Sequence, residues 1–125
     1  EIVKKFSKYA DMKIENTLVC ILDRPRHQEL ISKVRQTGAR IKLISYGDVS
    51  AVIATSFEDS GVDMYMGIGG SPEGVLAAAA LRCIGGKIYS KLVFVGTLWG
   101  PRYCCILAVI VICLVSDLVY QIIIR

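Results

Sequence analysis

The sequence predicts an α/β protein in which a parallel sheet carries helices on its faces. Three observations favour this class: apolar runs of strand length recur three times, a polar or glycine-rich loop follows each run, and a helical pattern follows each loop. Such repeated units with short connections are typical of parallel sheets covered by helices. The 125 residues suffice for one domain, and their 54% apolar content excludes a disordered chain.

The first unit follows a basic amphipathic lead-in, residues 1–16, that shows no strong period. Residues 17–22 form a continuous apolar run, as expected for a strand buried on both faces of a sheet. Pro25 suits the first turn of a helix, and Gly38 suits the position just after its end. The apolar face of this helix is expected to consist of Leu30, Ile31 and Val34.

The second and third units repeat the pattern. A strand is expected over residues 41–45, followed by a helix over residues 47–54. Next come a strand over residues 62–68, a loop over residues 69–74 and a helix over residues 75–84. The helix of the third unit contains a run of alanines, the strongest helix formers, and two glycines end it.

Charge divides the chain into two unequal parts. Residues 1–91 hold 23 of the 26 charged side chains, and residues 92–125 hold only Arg102, Asp117 and Arg125. The first part has the composition of a water-exposed domain, and the second is an apolar tail. The net charge of +4 is small and the basic residues are scattered among acidic ones, so we expect no nucleic acid as a partner.

Cysteine and histidine residues indicate no zinc site, because there is no CxxC pair and the only histidine, His27, is far from any cysteine. Cys20 and Cys83 lie in apolar runs, so both are expected to be buried in a reduced protein. His27 has no evident partner to orient it as a general base, and we expect it to pack or hydrogen-bond at a helix start. The chain begins without the apolar segment of a signal peptide, so a cytoplasmic location is expected.

Three polar loops are expected to meet at one edge of the sheet, where open parallel sheets bind ligands. They are residues 23–27, which we call the arginine loop, residues 46–48 and residues 69–74. Arg24 and Arg26 lie at a helix start, where the helix dipole disfavours cations, so a bound phosphate is one explanation for them. The alternative is that both are solvated or paired with neighbouring acidic side chains.

The stretch from Gly67 to Gly74, which we call the glycine-rich loop, lets the backbone approach a ligand closely. It does not have the dinucleotide-binding spacing, because Pro72 stands where the third glycine would fall. Glu73 has two interpretations. It either complements the helix dipole or, as a carboxylate on the ligand edge, binds a divalent cation.

Five short motifs frame these loops in order and in register. They are LDRPRHQELI at residues 22–31, GARI at 38–41, GDV at 47–49, GIGGSPEGV at 67–75 and ALRCIGG at 80–86. Together they resemble the class II fructose-1,6-bisphosphatase family over about residues 15–90. The resemblance implies a layered sugar-phosphatase fold, present here as a partial domain.

The resemblance also implies a function: a metal-dependent phosphoric monoester hydrolase that removes the 1-phosphate of fructose 1,6-bisphosphate in gluconeogenesis. Some relatives also use sedoheptulose 1,7-bisphosphate. The implied cofactor is Mn²⁺ or Mg²⁺, and the complete protein would be a homo-oligomer. Glu73 is the implied metal ligand, and no catalytic residue is implied in this chain. The implied substrate contacts are Arg24, Arg26, Tyr46, Gly47, Asp48 and Gly70.

The chain departs from the family pattern at two points. Tyr46 stands where the family usually has an aspartate, which removes an acceptor for sugar hydroxyls. The family's other metal ligands belong to an N-terminal half with an Asp-Pro-Leu-Glu-Gly-Thr motif that this sequence lacks, and one carboxylate cannot hold a metal pair. Residues 1–91 are therefore expected to be the substrate-binding part of an enzyme, inactive alone. The alternative is a phosphosugar- or nucleotide-binding module without hydrolysis.

The apolar tail, residues 92–125, has no counterpart that the resemblance covers. Of the 21 residues 104–124, 18 are apolar, which is long enough to span a bilayer. Three interpretations stay open: an aberrant coding end, a membrane anchor, and a buried strand–helix element. A membrane is an expected partner only under the second.

Overall fold

The fold is that of a computed structural model, which describes residues 1–90 and 123–124. The described α-helices are α1 (Ile2–Tyr9), α2 (Gln28–Arg35), α3 (Asp48–Ala54) and α4 (Ser71–Ile84). The described strands are β1 (Leu18–Leu22), β2 (Arg40–Ile44), β3 (Met64–Met66) and β4 (Ile123–Ile124). Single turns of 3-10 helix precede β1, α2 and β3, at Ile14–Asn16, Pro25–His27 and Glu58–Ser60. The predicted α/β class is confirmed.

The sheet has the strand order β2-β1-β3-β4. β1 pairs in parallel with β2 on one side and with β3 on the other, and β4 is antiparallel to β3. The chain runs from β1 through α2 to β2, and then through α3 across β1 to β3. The strand order therefore reverses at β1. In open α/β sheets, the crevice at such a reversal is the usual place for a ligand.

Apolar clusters lie on both faces of the sheet. Because side chains alternate along a strand, Met64 and Tyr65 of β3 point to opposite faces. Met64 belongs to the cluster that holds buried residues of α1 and α2, and Tyr65 packs against the one that holds residues of α3 and α4. Helices thus cover the sheet on two sides. The larger cluster comprises Val3, Phe6, Val19, Ile21, Ile31, Val34, Ala39 and Met64.

The lead-in at the start of the chain is a helix, so the expectation of no regular period is wrong. Val3 and Phe6 of α1 are buried in the larger cluster, and the lysines between and beyond them are exposed. The helix has only eight residues, fewer than three full turns, so its period was too short to stand out. An isolated helix of this length is not stable in water, and the packing of α1 against the sheet supplies the missing stability.

The third strand is shorter than predicted, and the helix after it is longer. β3 pairs only at residues 64–66. Just before it, the Asp63 carboxylate accepts the Leu18 backbone N–H at 2.8 Å, so a side chain takes the place of a ladder carbonyl. α4 begins at Ser71 rather than at residue 75. The Gly74 N–H donates to the Gly70 carbonyl at 3.1 Å, which closes its first turn.

The two cysteines of the described part differ. Cys20 is buried in β1 as expected, and burial raises the pKa of its thiol against the opposing charge of Lys42. Cys83 is exposed, so the expectation of a buried side chain is wrong. It lies two residues after the fully buried Leu81, on the outward side of α4.

The tail is described only at Ile123–Ile124, which pair with β3. Among the residues that the structure describes, no helix is both long and apolar enough to cross a membrane. Residues 104–122, on which the expectation of a membrane anchor depends, lie outside the described part of the chain. The three interpretations of the tail therefore stay predictions.

Candidate functional site

The arginine loop leaves the end of β1 and turns at once into the 3-10 turn Pro25–His27. The His27 N–H donates to the Arg24 carbonyl at 2.8 Å, which closes this turn. As a result, the Arg24 and Arg26 side chains are exposed, whereas His27 is 0% exposed. The loop thus presents cations at the surface and places an imidazole inside the protein.

His27 joins the arginine loop to the glycine-rich loop. Its Nδ1 lies 2.7 Å from the Leu22 carbonyl oxygen, and its Nε2 lies 2.8 Å from the Ile68 backbone nitrogen. Nε2 also lies 3.2 Å from the Ile68 carbonyl oxygen. In the tautomer with its proton on Nδ1, Nδ1 donates to Leu22 and Nε2 accepts the Ile68 N–H, so this tautomer satisfies the two shorter contacts. The expectation that His27 hydrogen-bonds locally is confirmed, and one of its partners comes from the other loop.

Arg26 binds the backbone of the same residue, Ile68, at its carbonyl group. Its Nε donates to the Ile68 carbonyl at 2.9 Å, which leaves the two terminal amino groups of the guanidinium available. The Arg24 side chain has no hydrogen bond or ion pair with any residue that the structure describes. The neighbouring acids are engaged elsewhere: Glu29 pairs with Lys33 at 2.5 Å, and Asp23 accepts from Gln28 at 3.5 Å.

The loop after β2 places one of its three predicted contacts toward the glycine-rich loop. Tyr46 is 84% exposed, and Gly47 adopts a left-handed conformation with φ of 83° before α3. Asp48 opens α3 and uses Oδ1 to accept the Val49 N–H at 2.9 Å. Its Oδ2 faces Gly69, where an added Cβ would lie 3.7 Å away.

Two glycines of the glycine-rich loop are in close contact with side chains. A Cβ on Gly67 would lie 3.1 Å from the Tyr65 hydroxyl and 3.4 Å from Cε1 of His27, so this glycine fits between the two rings. A Cβ on Gly70 would overlap a carboxylate oxygen of Glu73, which folds back over the loop. A Cβ at Gly67 would be crowded by both rings, and a Cβ at Gly70 would require the Glu73 carboxylate to move, so glycine permits the close approach at both positions.

A cavity of about 300 Å³ lies beside these loops. Asp48, Gly70 and Glu73 line it, whereas Arg24, Tyr46 and Gly47 do not. Arg26 is not on its wall but is bonded to Ile68, which is. The structure thus brings three of the seven predicted site residues together and holds a fourth next to them. The apolar part of the wall includes Leu30, Val49, Val52, Met66 and Ala77.

The carboxylates of the cavity suit part of a divalent-cation site. Asp48 and Glu73 contribute oxygen atoms, the donors that Mn²⁺ and Mg²⁺ prefer. In the described ranges 1–90 and 123–124, no group of three or more potential metal-ligating side chains occurs. The donors present therefore fit one side of such a site, and a complete coordination shell needs further oxygen ligands.

Tyr65 is a cavity residue that the sequence reasoning missed. Its ring lies in the cavity wall, and its pKa is raised to about 12, mainly by burial and then by the negative charge of Asp48, while Arg26 opposes the shift. The hydroxyl is therefore a neutral hydrogen-bond donor at physiological pH. The alternation of side chains along β3 was the available signal, since it places Tyr65 on the face opposite to Met64 and Met66.

The raised pKa of Tyr65 predicts a pH-dependent stability difference. A raised folded-state pKa means that the folded protein keeps a proton which the unfolded chain loses, so stability falls as pH rises from about 10 to about 12. Tyr65→Phe should therefore gain stability relative to the wild type over this interval. Urea unfolding at several pH values measures the difference, with Tyr9→Phe on exposed α1 as the control. A constant difference between wild type and Tyr65→Phe would contradict the prediction.

The fold and these loops define a class: an open parallel α/β domain whose polar loops meet at the reversal of strand order. Comparison with known proteins then narrows it. The sequence profile described as bacterial fructose-1,6-bisphosphatase, glpX-encoded, matches residues 1–98. The chain belongs to this family. The match extends beyond residues 15–90, the stretch over which the motifs resembled it.

Similar curated proteins are named D-fructose 1,6-bisphosphatase class 2/sedoheptulose 1,7-bisphosphatase. The one from Synechococcus elongatus is 48% identical over 94 residues, which is 75% of this chain and 27% of the relative. Those from Microcystis aeruginosa and Trichodesmium erythraeum are each 47% identical over 94 residues, with the same coverage. The chain thus spans about a quarter of the length of the relatives that it matches.

Proposed function

We propose that this chain is the substrate-binding part of a fructose-1,6-bisphosphatase that hydrolyses the 1-phosphate of fructose 1,6-bisphosphate. Sedoheptulose 1,7-bisphosphate, which also occurs in the relatives' names, is the proposed second substrate. One observation carries the proposal: Arg26 is held against the glycine-rich loop beside a cavity that contains two carboxylates. A sugar phosphate needs a cationic contact for its phosphate and acceptors for its hydroxyl groups.

Arg26 and the start of α4 are the proposed phosphate contacts. The terminal amino groups of Arg26 are available for a bidentate contact, because Nε is the only atom of this side chain that is bonded to a residue in the described part of the chain. α4 has 14 residues, and the backbone N–H groups of its first turn follow Gly70 directly. The partial positive charge of a helix N-terminus favours an anion at this point. Arg24 adds long-range attraction from the exposed surface.

Asp48 and Tyr65 are the proposed sugar contacts. Oδ2 of Asp48 accepts hydrogen bonds, since Oδ1 is used by Val49. The neutral Tyr65 hydroxyl donates one. The apolar wall formed by α3 and α4 excludes water from the carbon skeleton of the sugar. Tyr46 and Gly47 act on the sugar only through the shape of the loop, because neither lines the cavity.

Glu73, with Asp48 nearby, is the proposed contribution of this chain to a Mn²⁺ or Mg²⁺ site. The ion supplies charge neutralisation at the phosphoryl oxygens and an activated water. Glu73 approaches Gly70 closely, so its carboxylate lies near the N-terminal end of α4, where the phosphate is expected. Gluconeogenesis, a cytoplasmic location and a homo-oligomeric state accompany this proposal and stay predictions.

A second function is a phosphosugar-binding module without hydrolysis. The observation in its favour is that the described residues contain no group of three metal-ligating side chains. The two functions differ in the Synechococcus elongatus relative whose matching 94 residues are replaced by those of this chain. If the chain is part of an enzyme, this chimera releases phosphate and a chelator of divalent cations abolishes the release; if the chain is a binding module, the chimera binds fructose 1,6-bisphosphate and releases no phosphate.

Arg26→Ala tests the proposed phosphate contact. We expect it to weaken fructose 1,6-bisphosphate binding by about 1.5–3 kcal/mol, the range of a hydrogen bond to a charged group. Isothermal titration of the 125-residue chain measures the affinity. Arg35→Ala, which removes an exposed arginine from the last turn of α2, is the matched control and should bind as the wild type does. Equal affinities of wild type and Arg26→Ala would refute the assignment.

A further inference from the structure

The backbone N–H and carbonyl groups of Ile68 are bonded to two consecutive residues of the arginine loop. The Ile68 N–H donates to Nε2 of His27 at 2.8 Å, and the Ile68 carbonyl accepts from Nε of Arg26 at 2.9 Å. Ile68 itself is 44% exposed, so its side chain does not anchor this part of the glycine-rich loop. Nε2 of His27 also lies 3.2 Å from the Ile68 carbonyl oxygen, and these polar contacts from the arginine loop fix the position of Ile68.

We propose that His27 is a positioning residue, which sets the Arg26 guanidinium and the glycine-rich loop for phosphate binding. The proposal rests on the proposed function, because it assigns His27 a role in that same site. His27 does not touch the ligand. It acts through the backbone of Ile68: its Nε2 accepts the N–H and lies 3.2 Å from the carbonyl oxygen that orients Arg26.

The imidazole is suited to this role because it is hydrogen-bonded to the end of a buried strand. Nδ1 bonds at 2.7 Å to the carbonyl of Leu22, the last residue of the buried strand β1. The ring is fully buried, so water does not compete for its bond to Leu22, whereas its bond to Ile68 is partly buried. His27 therefore holds Ile68 at a fixed place relative to the end of β1, although the two residues are 41 positions apart in the sequence.

The orientation of Arg26 follows from the same contact. A guanidinium is planar, so one bond from Nε to a fixed carbonyl limits the directions in which its amino groups point. If the Ile68 carbonyl turns away, the bond to Nε is lost and the Arg26 side chain gains rotational freedom. Binding a phosphate then costs the conformational entropy that the contact had already removed.

Gly67 supports the arrangement sterically. A Cβ at this position would lie 3.4 Å from Cε1 of His27 and 3.1 Å from the Tyr65 hydroxyl. The imidazole therefore occupies space that the backbone of residue 67 leaves open. His27 and the glycine-rich loop are fitted to each other by shape as well as by hydrogen bonds.

The tautomer of His27 can be tested directly, because it is the only histidine in the sequence. Long-range ¹H–¹⁵N NMR of the 125-residue chain should show one imidazole, protonated at Nδ1 and unprotonated at Nε2. A ring protonated at Nε2, or one that averages between tautomers, would overturn the proposal. This measurement needs no variant, so it does not depend on the folding of a mutant.

Variants then test the action on the ligand. His27→Asn, which is too short to reach Ile68, should weaken fructose 1,6-bisphosphate binding roughly five- to tenfold, the effect of losing about one hydrogen bond. In the Arg26→Ala background the same change should add little, because His27 acts through Arg26. His27→Gln, which is longer and retains an acceptor, should restore part of the affinity. Val34→Ala, a buried change in the larger cluster, controls for general destabilisation.

The outcomes separate the positioning role from the proposed function. If the wild type binds and His27→Asn binds equally well, the positioning role is wrong and the proposed function stands. Losses that add fully in the double variant, or a loss as large in Val34→Ala, also overturn the role. If the wild type itself fails to bind fructose 1,6-bisphosphate, the proposed function falls, and the positioning role falls with it.

Discussion

Glu73→Gln is expected to lower Mn²⁺-dependent phosphate release at least about 100-fold in a complete enzyme. The estimate takes the upper end of the 10–100-fold loss that follows removal of groups which only orient metal ligands. Glutamine keeps the shape of the side chain over Gly70 and removes the negative charge that a divalent cation needs. A suitable enzyme is the Synechococcus elongatus relative with its matching 94 residues replaced by those of this chain.

The control for this experiment is Glu29→Gln in the same chimera. Glu29 is an exposed carboxylate of α2 that pairs with Lys33, and such surface pairs contribute little. It should leave both turnover and the Mn²⁺ concentration at half-maximal activity unchanged. If Glu73→Gln also keeps full turnover and the same metal dependence, Glu73 is only a carboxylate at a helix start.

The 125-residue chain alone is expected to release no phosphate from fructose 1,6-bisphosphate above background. Phosphoryl transfer depends mainly on positioning and on neutralisation of charge by the metal ions. The cavity offers Asp48 and Glu73, and the described residues offer no third ligand in a cluster with them. Binding without turnover is therefore the expected behaviour.

A phosphate-release assay with Mn²⁺ measures this directly, on the chain with and without residues 92–125. The positive control is the Synechococcus elongatus relative with its matching 94 residues replaced by those of this chain, which should release phosphate. Turnover of roughly 1–10 per second by the chain alone, an ordinary enzymatic rate, would contradict the prediction. It would mean that the remaining metal ligands come from this chain.

The parts of the fold that the sequence predicted have strong local signals. The apolar run of β1, Pro25 and the glycine after α2 each determine a structure within a few residues of themselves. The length of β3 was missed because it depends on Asp63 bonding to Leu18, 45 positions earlier in the chain. The exposure of Cys83 depends on which side of α4 faces α3, and its apolar neighbours gave no sign of this.

The site was predictable to the level of loops and not of side chains. All three loops lie at the carboxyl ends of parallel strands, as their place in the sequence required. The strand order decides which loops meet, and the reversal at β1 puts the loops of β1 and β3 together. Within the loop after β2, Asp48 lines the cavity and Tyr46 points to solvent, a difference that the sequence did not reveal. Ile68, which carried no chemical signal, holds both Arg26 and His27.

The central position of β1 has a consequence for the order in which the chain can fold during synthesis. β1, α2 and β2 are consecutive, so this part of the sheet can form once the chain has emerged as far as residue 44. The pairing of β1 with β3 requires closure of a longer loop, whose entropic cost slows it. The strand that leads into the glycine-rich loop is therefore added to a pair of strands that already exists.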